Sequence, residues 1–340
     1  MDPVVIDRIR RFNRIVAERI GALEDRFLGR GRPMSEARVL WEIGADGAEF
    51  VALGARLGVE AACLDRILQS LQRQRLVRIH PTRRPTRGRI RTRQSGPRRP
   101  TLRSAGRISL TRAGLAERAE LDRRSDAVAL RLLDPLSPPQ RDAFVSAVTE
   151  VERLLRASMV RFAIEDPATA DARWCFQQYF TELASRFESG FDPALSISAA
   201  APELTPPAGA LFIARLRGQP VGCGALKLHG GAPAELKRMW IAPDARSLGL
   251  GRRLLEVLEG HAREAGATAV RLETNRALTE AIALYRRTGY VEVAPFNSEP
   301  YAHHWFEKQM TLVKGLGTGT RDWLRCPGNQ PLAPAHARDD

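Results

Sequence analysis

Nowhere in this 340-residue chain do apolar side chains run uninterrupted for the ~20 residues that a membrane-crossing helix needs. The first stretch, MDPVVIDRIRRF, carries charges every few residues and lacks the apolar core of a secretory signal. Cysteine is scarce: Cys63, Cys175, Cys223 and Cys326 are scattered and form no CxxC pair. That usage argues against a disulfide framework or a cysteine-based zinc site and points to a reducing compartment. Histidine is scarce too. Of the six, His303 and His304 are adjacent, so on a strand they point to opposite faces. The expectation is a cytoplasmic protein with no metal and no membrane partner.

Acidic residues are missing from one segment. Residues 78–112 hold twelve arginines and no aspartate or glutamate, and supply most of the net charge of +14. The basic character is therefore local, and its expected partner is a polyanion. The alternative is a solvated loop.

What surrounds the arginines has regular periods. Val5, Ile9, Phe12, Val16, Ile20, Leu23 and Phe27 form a stripe at helical spacing over residues 4–27. Ser35 reads as the cap of a second helix running through Ile43. VALGARLG, a turn at Gly58-Val59-Glu60 and AACLDRILQSLQRQR then give helix, tight turn and helix, with Leu64, Ile67, Leu68 and Leu71 facing inward. Leu76–Ile79 and Arg107–Leu110 read as two strands of a hairpin with the arginine-rich segment at its tip. A helix-turn-helix followed by a basic hairpin is the pattern of a winged helix.

Residues 1–156 thereby resemble the MarR family of transcriptional regulators, on RFNRIVAERIGALEDRFL, SEARVLWEI, the helix-turn-helix and ISLTRAGLAERAELD. The resemblance implies double-stranded DNA as a partner. Ala61, Ala62, Cys63 and Arg66 of the second helix would face it, with Arg83, Arg84, Arg87 and Arg89 of the wing. It also implies a homodimer in which the first and last helices interlock. A second apolar stripe, at Phe144, Val148, Val151 and Leu155, independently asks for a partner surface. Two departures bear on sequence-specific readout. Asp65 stands where the family usually has a small hydroxyl residue, and the short family wing is replaced by TRRPTRGRIRTRQSGPRRPTLRSAG.

The second half alternates strand and helix periods. A strand at Met159–Ile164 precedes a helix over 169–187, with Thr169 or Asp171 as its cap. ALFIARL and VGCGALKLH read as a hairpin joined by Arg217-Gly218-Gln219-Pro220. A strand over Ala234–Ile241 ends at Pro243, and a turn, Arg246-Ser247-Leu248-Gly249-Leu250-Gly251, leads into a helix from Arg252 to Gly266. The first turn of a helix leaves N–H groups without partners and its dipole favours anions. Glycines at 249 and 251 remove side chains that would hold a phosphate off, and Arg246 and Arg252 add charge. The turn reads as a pyrophosphate site, though a plain tight turn gives the same glycines. It is neither a Walker loop nor a dinucleotide fingerprint.

Arg246-x-x-Gly249-x-Gly251 matches the Gln/Arg-x-x-Gly-x-Gly/Ala signature of the GNAT acetyltransferase superfamily. AELKRMWIAP before it and AVRLETNRALTEAIALYRRTGYVEV after it resemble the same family, over about residues 158–313. The resemblance implies acetyl-CoA as acyl donor. The backbone of Met239, Trp240 and Ile241 would pair with its pantetheine arm where two parallel strands splay. N–H groups from Ser247 through Leu248, Gly249, Leu250 and Gly251 to Arg252 would receive the phosphates. Ser247-Leu248 and Leu278 depart from residues common in relatives without removing a backbone donor. Tyr285 matches the tyrosine that the family commonly uses as acid. Glu235 lies where some relatives place their base, with Glu273 on the neighbouring strand as the alternative. Asn275 falls beside the cofactor and also reads as the cap of a helix over 277–288.

The acceptor site would draw on the 169–187 helix, the 188–208 loop and Phe296–Trp305. These supply Phe187, Phe191, Tyr301 and Trp305 with Glu188 and Asp192, which suits a cationic or amphipathic amine. The expected architecture is multidomain. An all-α winged helix-turn-helix domain occupies 1–156, an α/β (α+β) GNAT fold with a mixed, mostly antiparallel sheet occupies 157–314, and a disordered tail occupies 315–340. The functional expectation is an amine N-acetyltransferase fused to a DNA-binding regulator. The alternatives are a regulator that only senses acetyl-CoA or another ligand, or an enzyme that has lost specific DNA binding.

Overall fold

The computed structural model describes residues 2–21, 27–81, 105–197 and 199–310. The chain divides into two compact units, Met1–Glu152 and Arg153–Asp340. The wing arginines Arg83, Arg84, Arg87 and Arg89, and the tail expected from 315, lie outside the described residues.

In the first unit, α1 (Pro3–Arg19) starts at Asp2, whose carboxylate accepts the Val4 amide at 2.8 Å. It stops eight residues short of the expected Phe27, and residues 22–26 of that span are outside the described set. The next helix, α2 (Met34–Ile43), has Pro33 at its N-cap, so Ser35 lies inside the first turn instead of capping it. There follow β1 (Ala48–Glu49), α3 (Phe50–Leu57), α4 (Ala61–Arg73), β2 (Val77–Pro81) and β3 (Ala105–Leu110). The strands form an antiparallel sheet in the order β1-β3-β2. The unit is therefore helical with a small sheet, not all-α; two residues of β1 are too few to show a period in sequence. Leu53 of α3 and Leu64, Leu68 and Leu71 of α4 pack with Val39, Leu40 and Ile43 of α2, while Ile67 is only partly buried.

Thr111 caps α5 (Arg112–Leu133) by accepting the Gly114 amide at 3.0 Å, a contact worth ~1 kcal/mol in helices generally. Buried Glu36 of α2 accepts from Ser70 Oγ of α4 at 2.7 Å, and buried Glu117 of α5 accepts from Arg30 Nε at 3.0 Å and Arg32 Nε at 2.9 Å. The first bond ties α4 to α2, and the other two tie α5 to the segment before α2. Two helices stand apart: α1 and α6 (Pro138–Ser158) bury no residue, and the division between the units falls inside α6.

The second unit is built on a seven-stranded sheet. Its elements are β4 (Arg161–Ile164), α7 (Ala170–Arg186), β5 (Gly209–Leu216), β6 (Gln219–Lys227), β7 (Ala234–Ile241), α8 (Leu250–Glu264), β8 (Ala269–Thr274), α9 (Thr279–Arg287), β9 (Val291–Glu292) and β10 (His304–Gln309). The strand order is β4-β5-β6-β7-β8-β10-β9, and among the described pairings β7–β8 alone is parallel, so the sheet is mixed and mostly antiparallel. Thr169 is the cap of α7, accepting the Ala172 amide at 3.2 Å. Arg217 and Gly218, with φ of 51° and 79°, make the two-residue turn between β5 and β6, the conformation whose twist suits a tight hairpin. Leu250, Leu254 and Leu258 of α8 join Leu211 and Ile213 of β5, Ala225 of β6 and Phe306 of β10 in one core.

Candidate active site

The glycine-rich turn lies between β7 and α8. Pro243–Leu248 form a short 3-10 helix that ends at Gly249, and α8 begins at Leu250, two residues earlier than the expected Arg252. Gly249 has φ of 70°, a left-handed conformation that side chains with a Cβ adopt only at a cost. It offers no side-chain cap, so the amides of Leu250, Gly251 and Arg252 have no acceptor within the helix; Arg253 is the first to reach back, to the Gly249 carbonyl at 3.4 Å. Gly251 is required for a different reason. A Cβ there would sit 3.3 Å from Leu284 Cδ2, so its bare backbone lets α8 approach α9.

The two arginines are already engaged. Arg246 donates to the Ile241 carbonyl at 3.0 Å and is ion-paired with Glu182 of α7, which also accepts from Trp240 Nε1 at 2.8 Å. Arg252 is exposed and paired with Glu256 at 2.9 Å, one turn along its own helix. The anion-attracting character of the turn thus comes chiefly from backbone amides and the helix dipole. The Ser247 carbonyl is itself an acceptor, for Arg153 at 2.9 Å.

Beside the turn the sheet opens. Parallel pairing of β7 with β8 is confined to Ala234–Val270 and Glu235–Arg271, so the β8-facing edge of Met239, Trp240 and Ile241 is not paired with β8. On its other edge β7 pairs with β6 through a bulge: Lys237 lies opposite Ala225 and Trp240 opposite Cys223, with Arg238 (φ of 52°) inside the irregularity.

The opening leads into a cleft lined by residues of α7, β7, β8, α9 and the 187–199 and 299–302 segments. Tyr285, Glu273, Met239 and Asn275 all line it; Glu235 does not. Tyr285 is buried, with its hydroxyl 3.9 Å from Met239 Sδ. Burial pushes its phenol above the ordinary value, and nearby Glu273 pushes the same way, so the hydroxyl keeps its proton at neutral pH. Glu273 pairs through one oxygen with the Lys237 ammonium and accepts from Asn297 Nδ2 through the other at 3.4 Å. Glu235 faces two cations, Arg271 at 2.7 Å and Lys237 at 3.3 Å, and the His229 ring at 3.5 Å. Burial alone would push the Glu235 carboxyl up, but Arg271 and Lys237 outweigh it and hold it below the usual carboxylate range.

Asn275 does not cap α9, whose N-cap is Leu278 without a side-chain bond. Its amide oxygen accepts the Ala277 N–H at 2.9 Å and its Nδ2 donates to the Tyr301 carbonyl at 2.7 Å, pinning the turn before α9 to the cleft wall. That wall is aromatic. Phe180 stacks on Phe191 at 5.7 Å between ring centroids, and Tyr301 lies 4.9 Å from Phe191 and 5.8 Å from Phe187.

Of the residues expected there, Phe187, Phe191 and Tyr301 line the cleft, but Trp305, Glu188 and Asp192 do not. Trp305 donates to Asn297 Oδ1 at 2.9 Å, Glu188 pairs with Arg276 at the surface, and Asp192 accepts the Ala194 amide. The cleft's own carboxylates are Glu273 and buried Glu299, which accepts from Ser196 Oγ at 3.0 Å and the Ile197 amide at 2.7 Å. Sequence offered no signal for Glu299, because its partners lie a hundred residues away.

Comparison with known proteins agrees with this geometry. Residues 172–290 match the family described as "Acetyltransferase (GNAT) family", and that segment is a GNAT acetyltransferase domain. The chain is 45% identical over 91 residues to a protein of Azospirillum brasilense named IAA acetyltransferase, covering 26% of this chain and 58% of that one. It is 33% identical over 90 residues to the uncharacterized N-acetyltransferase YjgM of Escherichia coli, covering 26% of this chain and 54% of the relative. The chain therefore spans little more than half the length of these relatives. Among solved structures, a putative acyl-CoA N-acyltransferase from Klebsiella pneumoniae is 28% identical, with a TM-score of 0.36, over 45% of this chain and 99% of that one.

Proposed function

We propose that the second unit transfers an acetyl group from acetyl-CoA to an amine. The observation that carries this reading is the adjacency of three features: a glycine-opened helix start, a β7 edge left unpaired by β8, and a cleft holding a carboxylate and a protonated tyrosine. The residues present fit the donor. The amides of Leu250, Gly251 and Arg252 would hold the pyrophosphate, and the free edge of Met239, Trp240 and Ile241 would pair with the amides of the pantetheine arm. When bound, acetyl-CoA supplies a thioester as the acyl source. Glu273, ahead of Glu235, is the base: it lines the cleft, whereas Glu235 does not and is paired with Arg271 and Lys237. It takes the proton that an ammonium must lose before its nitrogen can attack, and the Tyr285 hydroxyl gives a proton to the departing sulfur.

Free thiol release over a panel of amines tests the reading directly. Turnover with some amine, abolished by Glu273→Gln, is the expected result. Acetyl-CoA binding by calorimetry with no release for any amine would leave a sensor instead of an enzyme.

For the first unit, the reading is a MarR-like winged helix that binds duplex DNA as a homodimer. Exposed Ala61, Ala62 and Arg66, with half-buried Cys63, head α4 after the tight turn, as a recognition helix requires. Asp65 is turned along the helix, accepting from Gln69 at 3.0 Å. Exposed apolar residues on α1 (Val5, Ile9, Phe12) and α6 (Phe144, Val148, Leu155) support a second copy as the surface that covers them. Fluorescence anisotropy with a labelled duplex, read against salt, tests the DNA assignment.

A further inference from the structure

We infer that Lys237 is a positioning residue for acetyl transfer: its buried ammonium, shared between Glu273 and Glu235, aims the Glu273 carboxylate into the cleft. The inference rests on the acetyl-transfer reading and extends it to a residue of the cleft wall that acts through Glu273. Lys237 is 7% exposed, Glu273 9% and Glu235 12%, so the three charges sit together in a low-dielectric space. An ammonium so buried is strongly unfavourable alone and is tolerated because two carboxylates face it. The order across the sheet is Glu273 on β8, Lys237 on β7, then Glu235 on β7, which Arg271 of β8 closes at 2.7 Å. His229, partly exposed and 3.5 Å from Glu235, is the outermost member.

The arrangement gives the two glutamates different tasks. Glu235 cannot leave its cations without stranding them, so it serves as an anchor for Lys237 and Arg271. Glu273, which lines the cleft, touches one cation, through Oε1, and its Oε2 accepts from Asn297 Nδ2 at 3.4 Å. The titratable and charged groups facing Glu273 are few. Lys237 approaches from β7, Tyr179 from α7 and Tyr285 from α9, and Arg238 and Glu299 line the same cleft. Lys237 is the cation in direct contact. A neighbouring positive charge makes a carboxylate harder to protonate, and a neighbouring negative charge weakens that effect.

Opposite shifts in one pH profile follow. The profile of kcat, at saturating acetyl-CoA and the amine that gives fastest thiol release, is measured for wild type and four variants. Lys237→Met should lower kcat about tenfold and move the acidic limb up by about one pH unit, with the acetyl-CoA KM little changed. Lys237→Arg should restore the limb. Glu235→Gln should move it down, because Lys237 is then left to Glu273 alone. Glu273→Gln should abolish it. An acidic limb that stays in place in Lys237→Met, or that moves up in Glu235→Gln, overturns the role of Lys237. If Lys237→Met does not fold, Glu235→Gln and Lys237→Arg decide the question by the direction of their shifts. Retention of the limb in Glu273→Gln, with its loss in Glu235→Gln, instead overturns the choice of base on which the inference stands.

Discussion

The two units treat their apolar side chains differently. The second closes a core around its sheet, with Leu254, Leu258, Leu272 and Phe306 inside, and past Ile164 its exposed large hydrophobics are Trp174, Leu195, Ile197 and Val291. The first has a smaller core and leaves α1 and its part of α6, up to Glu152, without a buried residue while they display Phe12, Ile15, Phe144 and Val148 to solvent. A sequence can thus encode either a cleft, by folding around it, or helices whose apolar faces stay uncovered within the chain. Each way has its own failure mode, and the contrast can be broken experimentally.

The largest effect is expected on the polyanion side. Each phosphate neutralised on duplex DNA contributes about −0.9 to the slope of log affinity against log salt. If half the twelve arginines of residues 78–112 on each subunit of a dimer touch phosphate, the wings contribute a slope of order −10. Deleting residues 83–104 and closing the hairpin with Asn-Gly should flatten that slope and weaken binding to all sequences alike, while thiol release persists. An unchanged slope would mean that the basic segment is a solvated loop.

The next effect concerns the uncovered helices. Burying a charge in an apolar contact costs several kcal/mol, so Phe12→Glu together with Val148→Glu should weaken self-association by about a hundredfold or more. Sedimentation of wild type and variant over a range of concentrations reads this. A wild type that stays at 37.7 kDa throughout would remove the contrast between the units.

In the second unit, the two turn glycines should separate. Gly251→Val crowds Leu284 and the helix start, and should lower acetyl-CoA affinity about tenfold by calorimetry, together with a lower melting temperature. Gly249→Ala meets no neighbour, but places a Cβ at φ of 70°, costing about 1 kcal/mol of stability with a smaller loss of affinity. Equal effects on both quantities would mean that the turn is merely a turn.

The smallest and most general effect is on acid stability, where each unit has a buried carboxylate that arginine holds below its ordinary value. The Arg30 guanidinium, bonded to Glu117, holds its carboxyl below the ordinary 4.5; burial opposes this and Arg32 assists. Glu235 is likewise held below 4.5 by Arg271 and Lys237, against burial. A group lowered on folding adds stability that is fully present above 4.5 and is lost as pH falls through its folded-state value. Glu117→Gln should therefore flatten the acid side of the stability profile for the first unit, and Glu235→Gln for the second. Melting temperatures from pH 7 down to 3 would show whether each variant changes its own transition.

Much of this architecture could be read from periods and punctuation. The Leu64, Leu68, Leu71 spacing placed α4, Thr169 marked the start of α7, and Arg217-Gly218 marked the β5–β6 hairpin. What escaped has physical causes. β1 is two residues long, and α8 begins early because Gly249 in a left-handed conformation serves as its N-cap, a state that sequence does not display. Tyr285 and the glycine turn were recognisable from local pattern. The choice between Glu235 and Glu273 was not, since it depends on Arg271, His229 and Asn297, which long-range pairing alone brings to them. The aromatic cleft wall was half readable for the same reason: Phe187 and Phe191 follow α7 directly, whereas Glu299 joins the cleft through the 187–199 segment.

The bulge at Arg238 works as a phase slip in an otherwise regular ruler. In an unbroken strand, positions 237 and 240 are an odd number of steps apart and would point to opposite sides of the sheet. The extra residue brings both into line with the same face of β6, Lys237 opposite Ala225 and Trp240 opposite Cys223. One strand thereby presents to one side both the ammonium that holds Glu273 and the indole that shares Glu182 with Arg246. Straightening the strand without shortening it would turn one of those two groups to the far side, whereas removing the extra residue would leave both on the same side. The irregular spacing is what lets one short segment reach both the cleft and the glycine-rich turn.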